Sequence, residues 1–183
     1  VALDPASRRA LAGVTLSNVN LVLWQWSDDP ARAVGRAAQA LAQLDLIAPD
    51  LLMTRLAHAS MAYTRNDWAG LAAIGEQLVR HHPNEPSAYH HRCGALLRLA
   101  RFEEAIAACQ RAIRISPRDS RLSTWQGLMG FNQFQLGRYA QAEQSLRAST
   151  ANDPRVPFYF VVLAAALAEQ GRRDEAARVM QEA

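Results

Sequence analysis

Alanine and leucine recur in block after block of this chain, and short polar stretches carrying proline or glycine separate the blocks. Blocks such as Ser87-Ala-Tyr-His-His-Arg-Cys-Gly and Phe102-Glu-Glu-Ala-Ile-Ala-Ala-Cys-Gln-Arg-Ala-Ile read as helices. Their residues are good helix formers, and Val, Ile and Thr are too sparse to fill many strands. The pattern predicts ten helices, over 5–26, 30–47, 51–64, 67–82, 86–100, 102–116, 120–136, 139–151, 157–170 and 173–183. Pro5, Pro30, Pro86 and Pro157 fall at or near helix starts, where a missing N–H costs nothing. Asp4 and Asp29 precede two of them as N-caps.

The blocks repeat in register. Pro49, Pro83 and Pro117 stand 34 residues apart, and Pro154 follows 37 later. Trp68, Phe102 and Tyr139 each precede one of the last three prolines by 15 residues. Leu71, Ala105 and Ala142 follow the aromatics by three, and Ala176 lies 34 beyond Ala142. Each marker has a mechanical role. The aromatic covers the turn into a second helix, the small residue lets two helices cross closely, and the proline stops the helix behind it.

These markers resemble the tetratricopeptide repeat, a helix-turn-helix unit of about 34 residues. The clearest copy runs from Pro86 to Pro117, with Cys93 at the usual small-glycine position; Leu71 and Gly75 depart from the usual alanine and aromatic. The resemblance implies an all-α fold, a right-handed superhelical solenoid of about five antiparallel helix pairs. The chain would be a single domain, with repeats at approximately 1–49, 50–83, 86–117, 120–154 and 157–183. A narrower resemblance rests on Trp26-Ser-Asp-Asp-Pro-Ala-Arg-Ala, Ala37-Ala-Gln-Ala-Leu-Ala, Ser116-Pro-Arg-Asp-Ser, Gly137-Arg-Tyr-Ala-Gln-Ala and Leu163-Ala-Ala-Ala-Leu-Ala. It is similar to the repeat region of bacterial class III adenylate cyclases and of CadC-type winged-helix transcriptional regulators. The missing initiator methionine fits a piece of such a longer polypeptide.

Composition narrows the function. Half the residues are hydrophobic and a fifth charged, the balance of a folded domain. All twenty basic residues are arginine, and the formal charge of +3 is spread over nearly every helix, so nucleic acid is not expected as a partner. The densest stretch, from Arg92 to Arg121, reads as a solvated surface diluted by acids, with an anionic docking face as the alternative. Val156 to Ala168, the longest apolar run, is too short to span a membrane. A soluble location is expected: cytoplasmic, or periplasmic if the chain belongs to a membrane-anchored regulator. Cys93 and Cys109 lack metal-ligand spacing and read as small buried packing residues that do not fix the redox compartment.

No phosphate loop, zinc-protease pair or nucleophile elbow is present, so the chain reads as a non-enzyme with no cofactor. His81, His82, His90 and His91, with Glu85, could form a surface metal site. The simpler reading places His81 and His82 at a helix C-terminus, with His90 and His91 pointing in different directions. The expected role is a scaffold or regulatory module that binds a peptide, a partner protein or a neighbouring domain. The alternatives are a small-molecule or lipid sensor, which needs an enclosed cavity beneath Phe131 and Phe134, and homo-oligomerisation. The repeat family's groove pattern nominates Leu56, Ser60, Tyr63 and Thr64, then His90, Gly94, Leu97 and Arg98, then Phe131, Phe134 and Gln135, then Val161, Ala165 and Glu169. Arginine and aromatics are the usual anchors of an interface; the competing reading puts both phenylalanines in the core. The family's lysine-rich clamp for acidic chaperone tails cannot exist in a chain without lysine.

Overall fold

The computed structural model describes residues 7–23 and 26–182. Among these residues there are ten helices and no strand: α1 (Arg8–Leu23), α2 (Pro30–Ile47), α3 (Leu52–Thr64), α4 (Trp68–His81), α5 (Pro86–Arg98), α6 (Phe102–Ile115), α7 (Leu122–Gln135), α8 (Tyr139–Asn152), α9 (Pro157–Glu169) and α10 (Arg173–Gln181). Each predicted helix is present within a few residues of its expected bounds. The Asp4 cap and the Pro5 start lie outside the described residues.

Punctuation residues do what their chemistry requires. Asp29 caps α2 by accepting a hydrogen bond from the Arg32 N–H at 2.9 Å, and Asp67 caps α4 through Gly70 at the same distance. Pro30, Pro86 and Pro157 occupy first-turn positions. Ala48, His82, Ser116 and Asp153 close α2, α4, α6 and α8 with extended φ between −132° and −158°, and each precedes a repeat proline. That conformation is the one a following proline demands.

The turn inside each helix pair is also built four times in one register. Asn66, Ala100, Gly137 and Gly171 all have positive φ, at 56°, 56°, 71° and 80°. The next residue's N–H reaches back to the last helical turn in every case: Asp67 to Ala62, Arg101 to Leu96, Arg138 to Gln133 and Arg172 to Leu167. This is the Schellman closure, in which a left-handed residue lets orphan carbonyls be satisfied. The opening aromatic packs over the turn, with Tyr63 and Trp68 edge to face at 5.1 Å and Phe134 and Tyr139 at 5.6 Å.

The chain divides into two compact units, residues 1–83 and 84–183. In the first, α1 packs on α2 and α3 around Leu11, Val19, Leu41, Leu44 and Met61. In the second, α7, α8, α9 and α10 surround Leu146, Phe160, Leu163, Leu167 and Val179. The marker residues Leu71, Ala105 and Ala142 are fully buried, and Ala176 nearly so. Gly130 shows why the crossing needs small residues. A Cβ there would lie 2.6 Å from Leu146 and 3.1 Å from the Ala142 carbonyl.

One expectation is overturned. Cys93 and Cys109 are not separate packing residues; they form a disulfide joining α5 to α6, with Cα atoms 5.6 Å apart. Both side chains are fully buried, as packing residues would be. Their positions are those at which the two helices of the pair touch, which is also the reach of a cystine.

Candidate functional site

The first helices of the last three repeats, α5, α7 and α9, pack side by side within the second unit. Side chains one repeat apart join them. The Trp125 indole N–H donates to His90 Nδ1 at 3.1 Å, Arg121 donates to Ser87 Oγ at 3.1 Å, and the Tyr159 hydroxyl reaches the Thr124 carbonyl at 3.4 Å. Asp119 holds Arg121 through two hydrogen bonds of 2.9 Å, and the guanidinium lies 5.2 Å from the Trp125 ring. Desolvation, helped by the Arg121 charge and opposed by Asp119, lowers His90 to about 4. Desolvation, then His90 and Arg121, lowers His91 to about 3. Both imidazoles are therefore neutral at physiological pH.

The nominated residues of this unit fall into three environments. His90, Leu97, Phe131, Phe134 and Ala165 are half-buried, Gly94 is buried, and Arg98, Gln135, Val161 and Glu169 are exposed. Phe131 and Phe134 pack against the core cluster around Leu163, so they serve the core while keeping a surface edge. Sequence reasoning missed Phe158, which is 50% exposed and meets Phe131 edge to face at 5.3 Å. The missed signal was its spacing: Phe158 lies three residues before Val161, on the same helix face. Val161 is itself 46% exposed. Phe131, Phe158 and Val161 thus carry apolar surface across α7 and α9, with Arg98 on α5 and Glu169 on α9 as charged residues of the same set.

The first-unit nominees are occupied locally. Ser60 is buried and donates to the Leu56 carbonyl at 3.0 Å, while Thr64 donates to the Met61 carbonyl at 2.8 Å. Tyr63 packs on Trp68. Leu56 is half-buried.

The other candidate chemistry resolves into structure. His81 and His82 end α4, and His82 closes it through a backbone N–H to the Leu78 carbonyl. Among the described residues no group of three His, Cys, Asp or Glu side chains could hold a metal ion. Within the arginine-dense stretch, Arg101 forms two 2.7 Å bonds to Glu104, Arg121 pairs with Asp119, and Arg111 lies over the Tyr89 ring. A larger network, not foreseen, ties α8 to α10. Arg147 and Arg172 both bind Glu143 and Glu175, and Gln170 adds a hydrogen bond to Glu143 at 3.1 Å. Burial works against the Glu143 charge, but these donors outweigh it and hold the carboxyl below its usual range. Beside this network an open cleft of about 630 Å³ runs over Phe160 and Leu163, away from Phe131 and Phe134. No described helix is long and apolar enough to cross a membrane.

This geometry is that of tetratricopeptide-repeat proteins. Residues 86–119, comprising α5, α6 and the turn beyond, match the sequence model of the tetratricopeptide repeat. No curated protein matches the chain in sequence. Solved structures share its fold. A crystal structure of MamA has a TM-score of 0.70 at 17% identity, covering 82% of this chain and 86% of its own. A second MamA crystal structure also scores 0.70, at 16% identity over 92% and 89%. TTC0263, a thermophilic TPR protein of Thermus thermophilus, scores 0.68 at 20% identity over 92% and 91%. At these identities the likeness defines the fold, an all-helical tetratricopeptide-type array.

Proposed function

We propose that the chain is a protein-interaction scaffold whose second unit binds an apolar-anchored peptide segment across α5, α7 and α9. The observation that carries the reading is the surface made by Phe131, Phe158 and Val161. Two exposed apolar side chains and an aromatic edge sit together on the helices that line the inner face of such arrays. Aromatic groups are effective anchors because they bury large area at little entropic cost. Arg98, Gln135 and Glu169 then supply polar contacts at the margin. The first-unit set Leu56, Ser60, Tyr63 and Thr64 contributes less, because the Ser60 and Thr64 hydroxyls are committed to their own helix. The segment can belong to a separate protein or to a neighbouring domain. The latter follows from the resemblance to the repeat regions of adenylate cyclases and CadC-type regulators. No catalytic step is assigned.

A displayed random-peptide library selected on the intact protein tests the reading. Enriched peptides should carry Leu, Phe or Trp anchors and should bind Phe158→Glu at least tenfold more weakly, with unchanged circular dichroism. Equal binding to the variant would show that this face is not the site.

A further inference from the structure

We infer that the Cys93–Cys109 disulfide is a lasting structural staple formed in a thiol-oxidising compartment, and that it reinforces the small-residue packing of the α5–α6 hairpin. Relative to the repeated small residue, Cys93 and Cys109 occupy the positions taken by Ala59 and Gly75, by Gly130 and Leu146, and by Ala164 and Met180 in the other helix pairs. All four pairs are sixteen residues apart. In the α7–α8 pair this position is a direct contact, since a Cβ on Gly130 would run into Leu146. The disulfide therefore makes covalent a contact that the repeat already contains.

The bond also joins two helices packed mainly by small side chains. The buried side chains of this hairpin are mostly alanine: Ala88, Ala95, Ala105, Ala108 and Ala112, with Tyr89, Leu96 and Ile106 as its larger members. Arg92 stands at the position that Leu163 fills in the α9–α10 pair, and its Nε is buried without a hydrogen-bond partner. A hairpin packed mainly by alanine, with a buried arginine nitrogen among its contacts, gains from a crosslink that restricts its unfolded state.

Burial explains persistence. Both cysteines have zero exposure, so a reducing thiolate cannot reach either sulfur until the hairpin opens. The bond must close before packing is complete. One cysteine thiolate attacks a donor disulfide, forming a mixed disulfide and releasing one donor thiolate. The second cysteine thiolate then attacks the mixed bond and expels the other donor sulfur. The cysteines are oxidised by two electrons, the donor is reduced to its dithiol, and the two cysteine protons end on the donor sulfurs. Such donors operate in the periplasm, in the lumen of the endoplasmic reticulum or outside the cell, whereas the cytosol keeps thiols reduced. A thiol-oxidising compartment thus takes the place of the cytoplasmic expectation of composition alone.

Three measurements test it. Alkylation of acid-quenched cells of the source organism should leave both cysteines unmodified without reductant and modify both after it. Modification of both before reduction would overturn the compartment. Closing a loop of this length should raise the melting temperature of the intact protein by about 10 °C over the same protein refolded and kept reduced in excess phosphine. Equal melting temperatures would overturn the staple. The double variant Cys93→Gly with Cys109→Leu copies the Gly130–Leu146 pair and should melt at a temperature that reductant does not change. If it matches the oxidised wild type in stability, packing alone is sufficient and the staple is refuted. Should that variant fail to fold, the comparison of oxidised and reduced wild type still decides.

Discussion

Ala100 is the residue at which this chain departs most plainly from its own rule. Of the four turn residues with positive φ, two are glycine and one is asparagine, which tolerate that region; Ala100 carries a Cβ there at φ 56° and is exposed. An L-residue in the left-handed region costs about 1–2 kcal/mol, and glycine's extra freedom in the unfolded chain returns about 0.5–1 kcal/mol of that difference. Ala100→Gly should therefore stabilise the protein by about 0.5–1 kcal/mol, read as a rise of about 1–4 °C in melting temperature. A fall would mean that the Ala100 methyl makes contacts that outweigh its backbone strain. The substitution leaves the Arg101 N–H to Leu96 bond in place, so the turn itself should not change.

At the scale of the helix pair, Gly130 makes the opposite case. Its side of α7 touches the Ala142 carbonyl and Leu146, and a backbone oxygen cannot move aside as a flexible side chain can. Gly130→Ala should cost about 1–3 kcal/mol by forcing α7 and α8 apart, measured by urea unfolding with an unchanged m-value. A neutral result would show that Leu146 can repack without displacing the helix. These crossings were legible in the sequence because proline, aromatic and small residue each have one mechanical use and recur at a fixed interval. The disulfide was not legible, since a cysteine at a packing position looks like an alanine until its partner helix is placed. The α7–α8 seam was equally hidden. Ser145 donates to Gln133 at 2.7 Å and Ser149 to the Ser123 carbonyl at 2.7 Å, and all four of these polar residues are buried. The candidate face was half legible for a similar reason: the three-residue spacing of Phe131 and Phe134 puts both on one side of α7, but their split between core and surface depends on α8 and α9.

Over the whole molecule, acid should act first through His90 and His91. Their folded values, about 4 and about 3, lie below the ordinary 6.5, so between pH 6.5 and those values the unfolded chain binds more protons than the native one. Stability contributed by the neutral pair is therefore complete above pH 6.5 and is lost as pH falls through the folded values. Glu104, Asp119, Glu143, Asp153 and Glu175 are also held below their usual ranges by arginine partners, and their contributions fall away below pH 4.5. That leaves the window from pH 6.5 to 4.5 to the histidines. Each contributes on the order of 2 kcal/mol across it, and together they should lower the melting temperature by about 10 °C. The physical event is specific: a protonated His90 Nδ1 can no longer accept the Trp125 N–H, and its charge would sit beside Arg121. Glutamine can accept the same hydrogen bond and does not titrate. The double variant His90→Gln with His91→Gln should therefore keep a nearly flat melting temperature between pH 6.5 and 4.5. A wild-type slope in that variant would place the acid sensitivity elsewhere and leave the α5–α7 contact as packing alone.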